Sequence, residues 1–122
     1  MPVVTDPPVF ADEHATVLAL AAPSRGSKEN SVFRITMHAG SPAFEHSVTR
    51  EEIFVALAGR AVATVAGVAA EFGTGDTLVI PADTLFSIAV AGDEPLELIA
   101  ILPVGGQAVA PGAEPRTPPW AR

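Results

Sequence analysis

The chain has 122 residues, 48% of them hydrophobic and 17% charged, which fits one globular domain and is too apolar for a disordered segment. Its formal charge is −7 and its seven basic residues are scattered singly, so neither nucleic acid nor an anionic membrane surface is an expected partner. There is no cysteine, which removes disulfides, thiolate nucleophiles and cysteine metal sites together.

In chain order, Pro2, Pro7 and Pro8 open the sequence around Asp6 and forbid a helix there, so residues 1–13 are expected to be extended. These first residues lack the basic start and apolar run of a signal peptide, and no later run reaches the length of a membrane span. A soluble, cytoplasmic protein is the expectation. A first strand is predicted over Thr16 to Ala22, so continuously apolar that both faces call for cover, inside a sandwich or at a dimer contact. After the polar loop Pro23 to Asn30, Ser31 to His38 alternates, with Phe33, Ile35 and Met37 against Arg34, Thr36 and His38. Strands are then predicted over Glu52 to Ala58, Ala61 to Ala66, Val68 to Phe72, Thr77 to Ile80, Phe86 to Val90 and Leu96 to Leu102, each stopped by glycine or proline. Short strands at this spacing, without a helical period, mean an all-β sandwich or barrel over residues 14–103. The tail over 104–122 is rich in proline and glycine and reads as irregular. Its lone Trp120 is expected to pack on the body or on a neighbouring subunit.

The stretch around which these strands are arranged runs from Gly40 to Gly59. Gly40, His46, Glu52 and Gly59 stand at the spacing Gly, five residues, His-x-His, three residues, Glu, six residues, Gly, with Val48 in place of the second histidine. Further on, Gly75 and Pro81 begin a second pattern, Gly, five residues, Pro-x-Gly, two residues, His, three residues, Asn. Here Asp83 replaces the glycine, Phe86 the histidine and Val90 the asparagine. Together the two stretches resemble the paired motifs of the cupin family, over roughly Phe33 to Pro103. The resemblance implies a double-sheet antiparallel jelly roll, in agreement with the strand count.

Cupins commonly hold a divalent metal with three histidines and a glutamate. Carried over by position, the resemblance leaves only His46 and Glu52, because Val48 and Phe86 occupy the other two places. Two donors fall short of what a first-row ion requires, and no metal or other cofactor is expected unless His38 supplies a third nitrogen. The bland alternatives are a buried, hydrogen-bonded His46, a loop-edge His38 and a surface His14. Glu51 is expected to be the solvated member of the Glu51–Glu52 pair, since adjacent strand residues face opposite ways. Asp76 and Asp83 have turn roles, and Arg34 and Arg50 read as surface charges unless one reaches a barrel mouth to hold a carboxylate.

There is no Gly-x-Ser-x-Gly elbow, phosphate-binding glycine loop, His-Glu-x-x-His or tyrosine. What remains is His46 and Glu52 in a pocket lined by Val48, Phe86, Phe54 and Phe44, with His38 as a further contact. Such a pair suits proton transfer, with burial raising the carboxyl's pKa and the carboxylate raising the histidine's. Three functions stay open: an isomerase, lyase or cyclase acting on a small, mostly apolar molecule, a non-catalytic container for such a molecule, and a metal-dependent enzyme with an atypical ligand set. A homodimer is expected from the apolar first strand.

Overall fold

The computed structural model describes residues 3–122; Met1 and Pro2, which begin the expected extended segment, lie outside the described residues. Eleven strands run β1 (Val9–Ala11), β2 (Ala15–Ala21), β3 (Asn30–Met37), β4 (Ser47–Val48), β5 (Glu52–Ala58), β6 (Arg60–Val65), β7 (Val68–Gly73), β8 (Thr77–Ile80), β9 (Phe86–Ala91), β10 (Leu96–Pro103) and β11 (Ala108–Val109). The only helical elements among the described residues are two 3₁₀ turns, Pro23–Arg25 and Pro119–Ala121, so none is long and apolar enough to cross a membrane.

All strand pairs are antiparallel. Six strands form one sheet in the order β1-β2-β3-β10-β5-β8. Against it stands the sheet β7-β6-β9, and the β4-β11 pair is joined to β9 where His46 and Phe86 exchange backbone hydrogen bonds of 3.0 and 2.9 Å. This is the jelly roll that the strand count predicts. The clean period of two decides which side chains go between the sheets: in β10, Leu96, Leu98, Ala100 and Leu102 are buried while Glu97, Ile99 and Ile101 face out. Phe33, Phe54 and Leu98 from one sheet meet Ala61, Ala63, Phe86 and Ile88 from the other in a single cluster. Each large apolar side chain so buried contributes roughly 1.5–3 kcal/mol.

Three turns hold residues at positive φ, two of them at motif positions. Gly59 has φ +86°, and a Cβ there would collide with the carbonyl oxygen of Pro95, so the position requires glycine on two counts. The β6–β7 hairpin turns on Ala66 and Gly67, both at positive φ (49° and 82°), as a two-residue type I′ loop demands. Asp83, where the second motif has glycine, also holds positive φ (59°), and its N–H donates to the carbonyl of Val48 at 2.8 Å. Asp83 adopts this left-handed backbone without being glycine, because Asp tolerates that region better than most residues.

β1 lies within the proline-rich start, extended there as expected and held by pairing with β2. Other elements differ from expectation. The predicted first strand begins one residue earlier and is covered on one side only: Val17 and Ala19 are buried, whereas Leu18 and Leu20 are half-exposed on the outer face of the sheet. The tail is not irregular throughout. Ala108 and Val109 pair with Val48 and Ser47, Ala108 also bridges Arg116, and the chain end is tied back through Ser31 Oγ donating to the carbonyl of Ala121. These ties bring Trp120 against Phe10 and Phe33, with ring centroids 6.2 and 6.1 Å apart, so the lone tryptophan packs on the body of its own chain.

Candidate functional site

Between the two sheets lies a cavity of about 270 Å³. One wall comes from the inner face of the six-stranded sheet: Val17 of β2, Phe33, Ile35 and Met37 of β3, Leu98 and Leu102 of β10, and Glu52 and Phe54 of β5. The other comes from His46, Val48, Phe86, Ile88 and Ala108. Phe44 is 64% exposed and also lines the cavity, so the cavity reaches solvent beside the loop that precedes β4. Pro118 and Trp120 of the tail complete the lining.

Glu52 is the first residue of β5, pairs with Ile80 of β8, and turns inward with Phe54 and Ala56 while Glu51 stays exposed. It is only 4% exposed. No positive charge or hydrogen-bond donor offsets its desolvation, which pushes its pKa up from 4.5 to about 8. At neutral pH its carboxyl is therefore mostly protonated, a donor as well as an acceptor.

His46 is half-buried, and its ring lies against Phe86 with centroids 4.5 Å apart. Its Nδ1 is 3.4 Å from the carbonyl oxygen of Phe44, which only accepts, an arrangement that suits the tautomer with the proton on Nδ1 and the lone pair on Nε2. The expectation that a neighbouring carboxylate raises the histidine's pKa is reversed. Burial lowers it, with the Phe44 hydrogen bond as the opposing influence, and Glu52 is not among the groups that shift it. The pair thus stands as neutral acid and neutral base on opposite walls of one cavity.

Of the other residues singled out in the sequence, Val48, Phe54, Phe86 and Phe44 all line this cavity, and Phe86 joins His46 to Phe54 through ring centroids 4.5 and 5.9 Å apart. His38 does not line it: it follows the end of β3, is exposed, and uses its backbone N–H to bond the carbonyl of His14. Arg34 is also remote, on the outer face in an ion pair with Glu97 at 2.8 Å, and Arg50 is exposed. Asp76 accepts from the N–H of Gly73, a turn role. The walls given by Phe33, Ile35, Met37 and Trp120 lie outside the residues that the two motifs mark. The alternation of β3 and the isolation of Trp120 are the signals that pointed to them.

The metal that this kind of site commonly holds does not fit the residues present. Among the described residues no group of three or more His, Cys, Asp or Glu stands close enough to share an ion. The two remaining positions of the set hold the buried apolar side chains Val48 and Phe86, which supply no donor.

The cupin domain profile matches residues 31–102, from the start of β3 to the end of β10. No curated protein sequence matches the chain. Among solved structures, a cupin superfamily protein from Desulfitobacterium hafniense is 20% identical over 77% of this chain and 81% of its own, with a TM-score of 0.65. KdgF from a Halomonas species is 15% identical over 77% and 83%, TM-score 0.67. A putative sugar phosphate isomerase from Acidithiobacillus ferrooxidans is 21% identical over 77% and 62%, TM-score 0.61. At these identities the likeness is one of fold, and with a family profile spanning more than half its length, the chain belongs to the cupin family.

Proposed function

We propose that the cavity holds a small, mostly apolar organic molecule and moves a proton on it, with His46 Nε2 as base and Glu52 as acid. One observation carries this reading: a buried carboxyl without a protein partner shares an otherwise apolar cavity with an imidazole whose free nitrogen is its acceptor. Among the described residues no fully buried side-chain oxygen lacks a partner, so the Glu52 carboxyl oxygens, which bond no protein group, open onto the cavity and are free to meet a ligand. A carboxyl held protonated near neutral pH by burial suits the role of general acid there. The reaction class is isomerase, lyase or cyclase chemistry, in which both protons stay within the site.

The test is to incubate the protein in D₂O with candidate small molecules and follow deuterium entry by mass spectrometry, beside Glu52→Gln and His46→Gln. Incorporation that depends on both residues supports the reading. Ligand retention in native mass spectra without incorporation for any compound would make the cavity a container.

We also propose that the protein is a homodimer through the outer face of the six-stranded sheet. Ile53 and Val55 of β5, Ile99 and Ile101 of β10, Val32 of β3 and Leu18 of β2 lie there in register, half-exposed, beside the more exposed Val79. The four central strands β2, β3, β10 and β5, seven or eight residues long and about 4.8 Å apart, span roughly 500 Å² per copy, so two copies would bury on the order of 1,000 Å², enough for a specific contact. The one ion pair on this face is self-neutral, so two copies of a chain with net charge −7 meet there without local repulsion.

A further inference from the structure

The cavity lining contains no lysine or arginine, and its only ionisable side chains are His46 and Glu52. A carboxylate or phosphate group entering it would find no counter-charge and would be set beside a second carboxyl. An ammonium group would have to force Glu52 to ionise among Phe54, Phe86 and Leu98. A neutral acceptor oxygen meets neither cost, because the protonated Glu52 carboxyl has a hydrogen to give and no protein group to receive it. The volume sets the size. An apolar cavity of about 150 Å³ takes a benzene ring, so about 270 Å³ accommodates one ring with a short substituent.

From this lining we infer that the ligand is a neutral carbonyl compound of one ring or equivalent chain length, bearing a hydrogen on the carbon next to the carbonyl. The inference rests on the proton-transfer reading only for the second of its two parts, the hydrogen. Glu52 donates to the carbonyl oxygen. His46 Nε2 removes the neighbouring C–H proton, the C–H electron pair becomes the new C=C bond, and the carbonyl π pair moves to oxygen, which takes the Glu52 proton. The enol then stands between an imidazolium and a carboxylate. Return of the proton to carbon and of the hydroxyl proton to Glu52 restores both groups, so no oxidant, reductant or co-reactant is required.

Four isosteric compounds separate the possibilities: acetophenone, benzoate, cumene and 1-phenylethylamine, titrated calorimetrically at neutral pH. Acetophenone is expected to bind about tenfold or more tightly than each of the others. Glu52→Leu should bring it down to the level of cumene, while Glu52→Gln, which still offers N–H donors, should retain the preference. Benzoate or the amine binding as tightly as acetophenone overturns the inference, and so does a preference that survives Glu52→Leu. Exchange of the acetophenone methyl protons in D₂O is scored separately by NMR. Selective binding without exchange upholds the carbonyl preference and counts against proton transfer, whereas exchange without selective binding does the reverse. If Glu52→Leu does not fold, Glu52→Met, unbranched like glutamate and without a donor, takes its place: it must bring acetophenone down to the level of cumene, and a preference that survives it overturns the inference.

Discussion

Glu52 and Glu97 stand on neighbouring strands of one sheet, β5 and β10, and meet opposite conditions on its two faces. Glu97 points outward and accepts from Arg34 at 2.8 Å, in a pair whose side chains are 40% and 32% exposed. Glu52 points inward, is almost wholly buried, and has no cation or donor. The strand period assigns the faces, but it does not explain why the inner position holds a carboxyl at all. A leucine there would join Phe54 and Leu98, so the outer glutamate is accounted for by its partner, whereas the inner one has no partner in the chain and is the group to which the proposed ligand would give a role.

The largest expected effects test that contrast directly. Glu52→Gln and His46→Gln should each lower proton exchange on a bound substrate by about 10²–10⁴-fold, the usual span for loss of a general acid or base. Glu97→Gln, on the other face, should leave the rate unchanged. Equal losses from Glu52→Gln and Glu97→Gln would mean that the substitutions act through the fold.

The same contrast predicts how stability depends on pH. The pKa of Glu52 is raised on folding, so its favourable contribution is present below pH 4.5 and is lost as pH rises toward about 8. Integrated over that window the loss is on the order of 4–5 kcal/mol. His46 works in the other direction: its pKa is depressed, so its contribution is present above pH 6.5 and is lost as pH falls below it. Denaturant titrations from pH 4 to 9 should show wild-type stability declining above pH 6.5, and Glu52→Gln should flatten that decline. A variant that declines in parallel with wild type would show that Glu52 is not the group responsible.

Much of this contrast is legible in the sequence. β5 and β8 fall at Glu52–Ala58 and Thr77–Ile80 as predicted, because Gly59 and Pro81 leave the backbone no choice about where they end. The spacing that set His46 against Glu52 also put residue 86 beside residue 46, where a hydrogen-bonded bridge now holds them. Other features have no local signal. β1, β4 and β11 are two or three residues long and exist because a partner strand pairs with them. The direction of the His46 shift depends on how deeply its ring is buried and on whether a charge acts on it, and the motif spacing fixes neither, because His46 precedes a two-residue strand with no alternation of its own. Trp120 announced itself by composition, but its place on the cavity wall depends on ties made by Ser31 and Ala108 at distant points of the chain.

A further test restores the two missing donors. Val48→His with Phe86→His should complete a set of three imidazoles and a carboxylate, since both positions line the cavity with His46 and Glu52. Each change replaces a buried apolar group with a polar one, at a cost of about 1–3 kcal/mol. Added Zn²⁺ or Ni²⁺ should then raise the melting temperature of the double variant in proportion to the logarithm of its concentration and leave wild type unmoved. A wild-type protein that already takes up one ion tightly would overturn the conclusion that its donor set does not suit a metal. A folded double variant without a metal response would show that the four side chains do not converge.

The smallest effects belong to the outer face. An exposed ion pair gains little, because water screens it and two long side chains must be held still, so the Arg34–Glu97 coupling in a monomer should be about 1 kcal/mol or less. Dimerisation alters that figure in a measurable way, since a second copy laid over Val55 and Ile99 would exclude water from the pair between them and strengthen it. The double-mutant cycle Arg34→Met, Glu97→Gln is therefore to be run twice, in wild type and in an Ile99→Asp background whose buried charge prevents the contact. Light scattering should give the mass of two chains for wild type and of one for Ile99→Asp, with ligand binding in the cavity unaffected because Ile99 faces away from it. A coupling that is larger in wild type than in the Ile99→Asp background would place the ion pair within the interface. A wild-type monomer at micromolar concentration would remove the interface, and the apolar outer face would then be no more than the reverse side of a sheet whose inner face carries the site.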